Sequence, residues 1–262
     1  MSHSTRCLNC DAIASNVFCS HCGQKTDTHR ITLKHFVFHD ILHGVWHFEK
    51  GILFTIKEAL VRPGNAALDY IAGKRIRYYN VFYLALILLG LNIFLTHYYD
   101  SLSEVYENPI SDVKNNAAGM KIASFMSKYA KAILFSFVPL FALKSTLLFR
   151  RRKLNLSEHF IVAGMIFLGI VLITVVGTLF SFFDFTYFDS ISEVAEFVFS
   201  LLILFYVIYS YYAAFKSDYS VWGFSWRMLL FLLFIIVELF LFFVLLFGFV
   251  THWKFGSINY HV

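Results

Sequence analysis

The sequence predicts an all-α integral membrane protein, with about five transmembrane helices preceded by a small four-cysteine knuckle and short interfacial helices. Three observations predict it. Hydrophobic residues make up 58% of the 262 and charged residues only 15%, where soluble domains carry roughly 25% charge. The apolar residues, 32 Phe and 15 Tyr among them, run in long stretches that one soluble core of this size could not enclose. All four cysteines lie between Cys7 and Cys22, so the apolar stretches contain none.

Residues 1–30 form the knuckle. Cys7-Leu8-Asn9-Cys10 and Cys19-Ser20-His21-Cys22-Gly23 are two C-x-x-C pairs with eight residues between them. Two residues between thiolates let a tight turn grip one metal, and two such turns complete a tetrahedron. The donor set points to Zn²⁺, with a redox dithiol or an iron–sulfur cluster as alternatives. Four thiolates leave no open position for substrate, so the expected role is to fold the segment. His21 sits between ligands and reads as an exposed loop residue. The first thirty residues show no apolar signal sequence, and a cysteine cluster in a reducing cytoplasm is more often a metal site than a disulfide pair. The N-terminus is therefore expected to be cytoplasmic.

Residues 31–79 have intermediate character and are expected to lie along the inner membrane surface or to pack against the spans. Leu33, Phe36, Val37, Ile41, Val45, Phe48 and Ile52 recur at helical spacing. His35, His39, His43 and His47 follow one another every four residues, which on a helix places them in one stripe. That stripe is either the polar face of an interfacial helix or a second metal site with Asp40 beside it. Short helices are expected from Thr55 to Val61, stopped by Pro63-Gly64, and from Asn65 to Ala72, ended by Gly73. Lys74, Arg75 and Arg77 come next and read as anchors for lipid headgroups.

The segment resembles the DUF3667 family, uncharacterised bacterial membrane proteins common in Bacteroidetes. The resemblance rests on Cys7, Cys10 and the run Phe18-Cys19-Ser20-His21-Cys22-Gly23-Gln24. Thr55-Ile56-Lys57, Arg62-Pro63-Gly64, and Tyr70-Ile71-Ala72-Gly73-Lys74-Arg75 with Tyr78 carry it further, over about the first eighty residues. It implies a zinc-ribbon-like head, a membrane body and a bacterial inner-membrane location, and no reaction. The family tends to place Pro where this chain has Val81, so the approach to the first span is expected to be less sharply broken here.

A span of the hydrocarbon core needs about 20 mostly apolar residues. Five segments within residues 80–250 qualify: Val81 to His97, Ala132 to Phe149, Phe160 to Phe183, Val194 to Phe215 and Met228 to Val250. Pro139 falls inside the second and is expected to kink it. On one side of these spans lie Arg62, Lys74, Arg75, Arg77, Arg150, Arg151, Arg152, Lys153, Lys216 and Arg227. The other side has Lys114, Lys121, Lys128, Lys131 and Lys254. The excess favours a cytoplasmic N-terminus and an external tail at 251–262. The outer lysines fit an interfacial helix around Met120 to Lys131. Placed beside apolar ends, the charges account for the formal +5 without nucleic acid.

Glu238 is the one acid deep within a span, where an unpartnered carboxylate is costly. Asn92, Thr174 and Tyr206 fall near the same depth, so the four are candidates for a polar mid-membrane patch. Lys144 and His159 lie nearer the inner surface and are expected to snorkel toward it. No G-x-S-x-G, H-E-x-x-H, phosphate loop or dinucleotide fingerprint occurs. Three function classes follow, in this order: an interaction or assembly protein that docks a cytoplasmic protein through its knuckle, a small transporter or channel using Glu238, and a membrane enzyme acting on lipid.

Overall fold

The computed structural model describes residues 5–14, 16–26, 31, 51–106, 117–185, 189–251 and 253. The helical pattern expected from Leu33 to Ile52 lies outside the described residues up to Phe48, and His35, His39, His43 and His47 with it; its last residue, Ile52, is described and opens a helix.

The head begins with a two-stranded antiparallel ribbon, β1 (Thr5–Arg6) and β2 (Ile13–Ala14), with Thr5 opposite Ala14 and Arg6 opposite Ile13. Two short helices follow, α1 (Ile52–Val61) and α2 (Pro63–Ile71). Pro63 separates them because a residue before proline avoids the helical region, and Arg62 takes an extended φ of −146°. Proline itself suits the first turn of α2, where its missing N–H has no partner to lose.

Five long helices make the body: α3 (Val81–Tyr106), α4 (Ala117–Leu148), α5 (Leu156–Ser181), α6 (Asp189–Phe215) and α7 (Val221–Thr251). All five are long and apolar enough to cross a membrane, so the chain is a multi-pass membrane protein. Each expected span lies on one of them, but several ends differ. The helix begun at Val81 continues to Tyr106, past the expected His97, and the interfacial helix expected at Met120 runs without a break into the second span. The backbone ladder does not stop where hydrophobicity does, because a charged helix end outside the hydrocarbon remains a good helix. α4 also passes continuously through Pro139.

α5 is the hub. Val162, Ala163, Met165, Ile166 and Leu168 on it are fully buried, and it packs against α3, α4, α6, α1 and α2. Buried residues make up 67% of its span but only 11% of the span in α7, which places α7 at the edge of the bundle facing lipid. Glycines on α5 allow close approach: a Cβ at Gly164 would lie 2.6 Å from the Phe82 ring, and one at Gly169 would overlap the Tyr206 hydroxyl. A capping box starts the helix, with the Asn155 side chain accepting from the Glu158 N–H at 2.9 Å and the Glu158 carboxylate accepting from the Asn155 N–H at 2.8 Å.

α1 and α2 pack against the body. Ala59, Ala66 and Ala67 are fully buried, and Gly64 meets the α6 backbone at Ser210 and Ala214 with no room for a Cβ. The Tyr206 hydroxyl donates to the Ala59 carbonyl at 2.5 Å, and Tyr209 donates to that of Val61 at 3.0 Å. At the end of the bundle where α4 stops, the basic turns interlock. Arg152 reaches Asp218 and the Ala214 carbonyl, and Arg227 reaches the Leu148 carbonyl.

Candidate metal centre and its seat

The two cysteine loops are built alike. The Cys7 carbonyl accepts from the Asp11 N–H and the Cys7 N–H donates to the Ala12 carbonyl, both at 2.9 Å. The Cys19 carbonyl accepts from the Gly23 N–H and the Cys19 N–H donates to the Gln24 carbonyl, both at 2.8 Å. Each loop turns on a left-handed residue in the equivalent place, Asp11 at φ 59° and Gly23 at φ 75°. Glycine takes that conformation freely, and aspartate is among the few others that tolerate it.

The loops bring four sulfurs together. Cys7 Sγ lies 3.6 Å from Cys22 Sγ and Cys10 Sγ 3.7 Å from Cys19 Sγ, and all four lie within 4.8 Å of one another. No disulfide joins them. A tetrahedral centre with metal–sulfur bonds of about 2.3 Å has sulfur–sulfur edges of about 3.8 Å, so the spacing fits a metal ion. The electrostatics fit as well. Burial raises the Cys22 thiol, but N–H groups from the Gln24 backbone and the Asn9 side chain outweigh it and bring the pKa down to about 6. The Ala12 N–H lowers Cys10, yet burial and the other three thiols push it up to about 12. Four thiols in one space cannot all ionise without a cation among them.

The head is not suspended free of the body. Gln24 is buried, and its side chain donates to the Gly73 carbonyl at 2.5 Å and accepts from the N–H groups of Arg75 at 3.2 Å and Ile76 at 3.3 Å. Arg77 donates to the Asn9 side chain and to the Asn9 carbonyl, each at 3.1 Å. Gly73 has φ 105°, and a Cβ there would lie 2.7 Å from Leu8. The turn from Gly73 to Arg77 is thus a seat fitted to both knuckle loops.

Beneath the seat, Asp69 accepts from Lys74 at 2.9 Å and Arg62 at 3.1 Å, and Arg62 also pairs with Glu58 at 2.5 Å. Burial raises the Asp69 carboxyl, but the two cations outweigh it and hold it below its ordinary range. Tyr78 lies between Phe54 and Tyr70; burial pushes its hydroxyl up to about 12, and that hydroxyl has no partner among the described residues. The Tyr79 N–H donates to Thr55 at 2.8 Å, and the Asn80 side chain accepts from Phe82 and Tyr83 to start α3. That cap opens the first span at Val81.

The structure places the other candidate residues as follows. Lys74 meets Asp69, Arg75 lies over the Tyr70 ring, and Arg77 lies over Phe54 while holding Asn9. Asn92 donates to Thr178 at 2.9 Å, whereas Thr174 donates to the Ile170 carbonyl of its own helix. Tyr206 turns toward α1, and Glu238 pairs with Lys144 across α4 and α7. Asn92, Thr174, Tyr206 and Glu238 are therefore each held by a different partner. Lys144 and His159 do not snorkel: Lys144 reaches into the span, and His159 is buried against Ser145 at 2.7 Å and the Phe215 ring. Sequence reasoning missed Asn9 and Gln24 because nothing local marks a polar side chain whose partner lies 68 residues away, as for Asn9, or 49, as for Gln24.

No curated protein and no solved structure matches the chain. The model of a family described as a protein of unknown function (DUF3667) matches residues 49–89, so the chain is similar to that family over α1, α2, the seat and the first turns of α3.

Proposed function

We propose that this chain is a membrane-embedded interaction or assembly protein of the bacterial inner membrane, whose zinc-bearing N-terminal head docks a cytoplasmic protein beside the membrane surface. The observation that carries the reading is the seated, closed four-thiolate knuckle. Four sulfurs at tetrahedral spacing fill a zinc coordination sphere, which supports a structural role for the metal. Held by Gln24 and Arg77 against the turn before the first span, the head is presented in a fixed orientation. Its outer face is apolar and basic: Ile13, Val17 and Phe18 are 73%, 62% and 60% exposed, with Arg6 and Lys25 exposed beside them. A partner surface that is apolar and acidic fits this tip.

Site-specific photocrosslinking in native membranes tests the docking. A crosslinker at Phe18 is expected to yield one discrete protein adduct, and Ile13→Asp is expected to abolish it with the metal content unchanged. A smear of adducts that Ile13→Asp does not alter would overturn the reading. The small-transporter reading has one observation in its favour, the Glu238–Lys144 pair inside the spans.

A further inference from the structure

The groove between α4 and α7 holds an ion pair within the spans, Lys144 with Glu238. Its depth follows from the helices. Arg227 donates to the Leu148 carbonyl, which sets the level where α4 ends. Glu238 is eleven residues further along α7, about 16 Å deeper at the α-helical rise. Lys144 is one turn from the end of α4, yet its stem runs away from that end, toward Glu238. Lysines near helix ends ordinarily extend toward the headgroups, so this one is held inward by the site.

What holds it is a cation site. The Lys144 ammonium meets the Glu238 carboxylate and lies 5.4 Å from the Phe141 ring centre and 5.8 Å from that of Phe231. The two rings pack edge to face, 5.4 Å apart. Phe141 and Phe231 are buried behind the ammonium. The groove itself presents the Glu238 carboxylate with the Phe234 and Phe242 rings, and a carboxylate beside aromatic rings is the set of groups that recognises an organic cation. The pair opens on a groove of about 490 Å³ lined by Leu140, Leu143, Val237, Leu241 and Phe242. Glu238 is the more accessible partner, with its side chain 29% exposed against 11% for Lys144.

We infer that this groove binds lipophilic organic monocations, with Glu238 as their counter-ion and Lys144 as the resident cation they displace. The exchange balances: one cation leaves the carboxylate as another arrives, and the freed Lys144 stem can turn to the nearby end of α4 and reach the headgroups. The apolar walls take the hydrophobic part of the ligand. The inference is independent of the docking role of the head.

Binding of tetraphenylphosphonium to the full chain in lipid nanodiscs tests it. Wild type is expected to bind saturably, and Lys144→Met, which removes the competing cation, is expected to bind about tenfold more tightly. Adding Glu238→Gln to Lys144→Met is expected to return binding to the level of empty nanodiscs. That double variant leaves no unpaired charge, so it remains a usable control even where Lys144→Met alone does not fold. The comparison is then wild type against the double variant. Equal binding by wild type and the double variant, or binding by Lys144→Met no tighter than by wild type, would overturn the inference.

Discussion

The side chain of Gln24 ties the head to the body through three hydrogen bonds, to the Gly73 carbonyl and the Arg75 and Ile76 amides. The bond from Gln24 to the Cys22 thiol comes from the backbone N–H, so loss of the side chain should separate seating of the head from metal binding. Gln24→Ala removes all three bonds at a buried position, which costs roughly 1–3 kcal/mol when the orphaned groups are not fully resolvated. The expected outcome is faster amide exchange at Arg75 and Ile76 with the metal content unchanged. Exchange as slow as in wild type would mean that the turn is held by something else. Gly73 belongs to the same junction, and its φ of 105° explains why glycine stands where Leu8 comes closest.

Among the elements, α5 carries the packing of the body, and its start depends on the reciprocal bonds of Asn155 and Glu158. Asn155 also donates to the Ile31 carbonyl at 2.9 Å. Asn155→Ala should therefore destabilise the protein by about 1 kcal/mol, the usual cost of losing an N-cap, while Asn155→Asp, which keeps the capping oxygen but loses the bond to Ile31, should recover part of it. Thermal unfolding in detergent checks both, and equal midpoints for all three proteins would contradict the capping argument. The existence of the five long helices was legible in the sequence, because contiguous apolar residues leave few other readings. Their ends were not. Asp100, Glu104, Lys121 and Lys128 interrupt the hydropathy without interrupting the helices that contain them. The cysteines were legible as a set because their spacing is local. The seat was not, since Asn9 meets Arg77 and Gln24 meets Gly73 only through the fold. Reading Lys144 as a snorkelling residue failed for the same reason: its partner, Glu238, is 94 residues away.

For the molecule as a whole, the arrangement joins a head built on four clustered cysteines to a helical body through the turn that leads into the first span. The family-matched segment, residues 49–89, contains that turn and the two short helices packed beneath it. In such a small head, metal-binding energy is folding energy, and the seat extends its reach into the body. Hydrogen exchange on the full-length protein, compared before and after metal removal by a chelator, tests this most directly. Chelation should accelerate exchange in the two cysteine loops and, with them, at the Gly73–Arg77 turn, while α5 stays protected. A turn that exchanges at the same rate with and without metal would contradict the account.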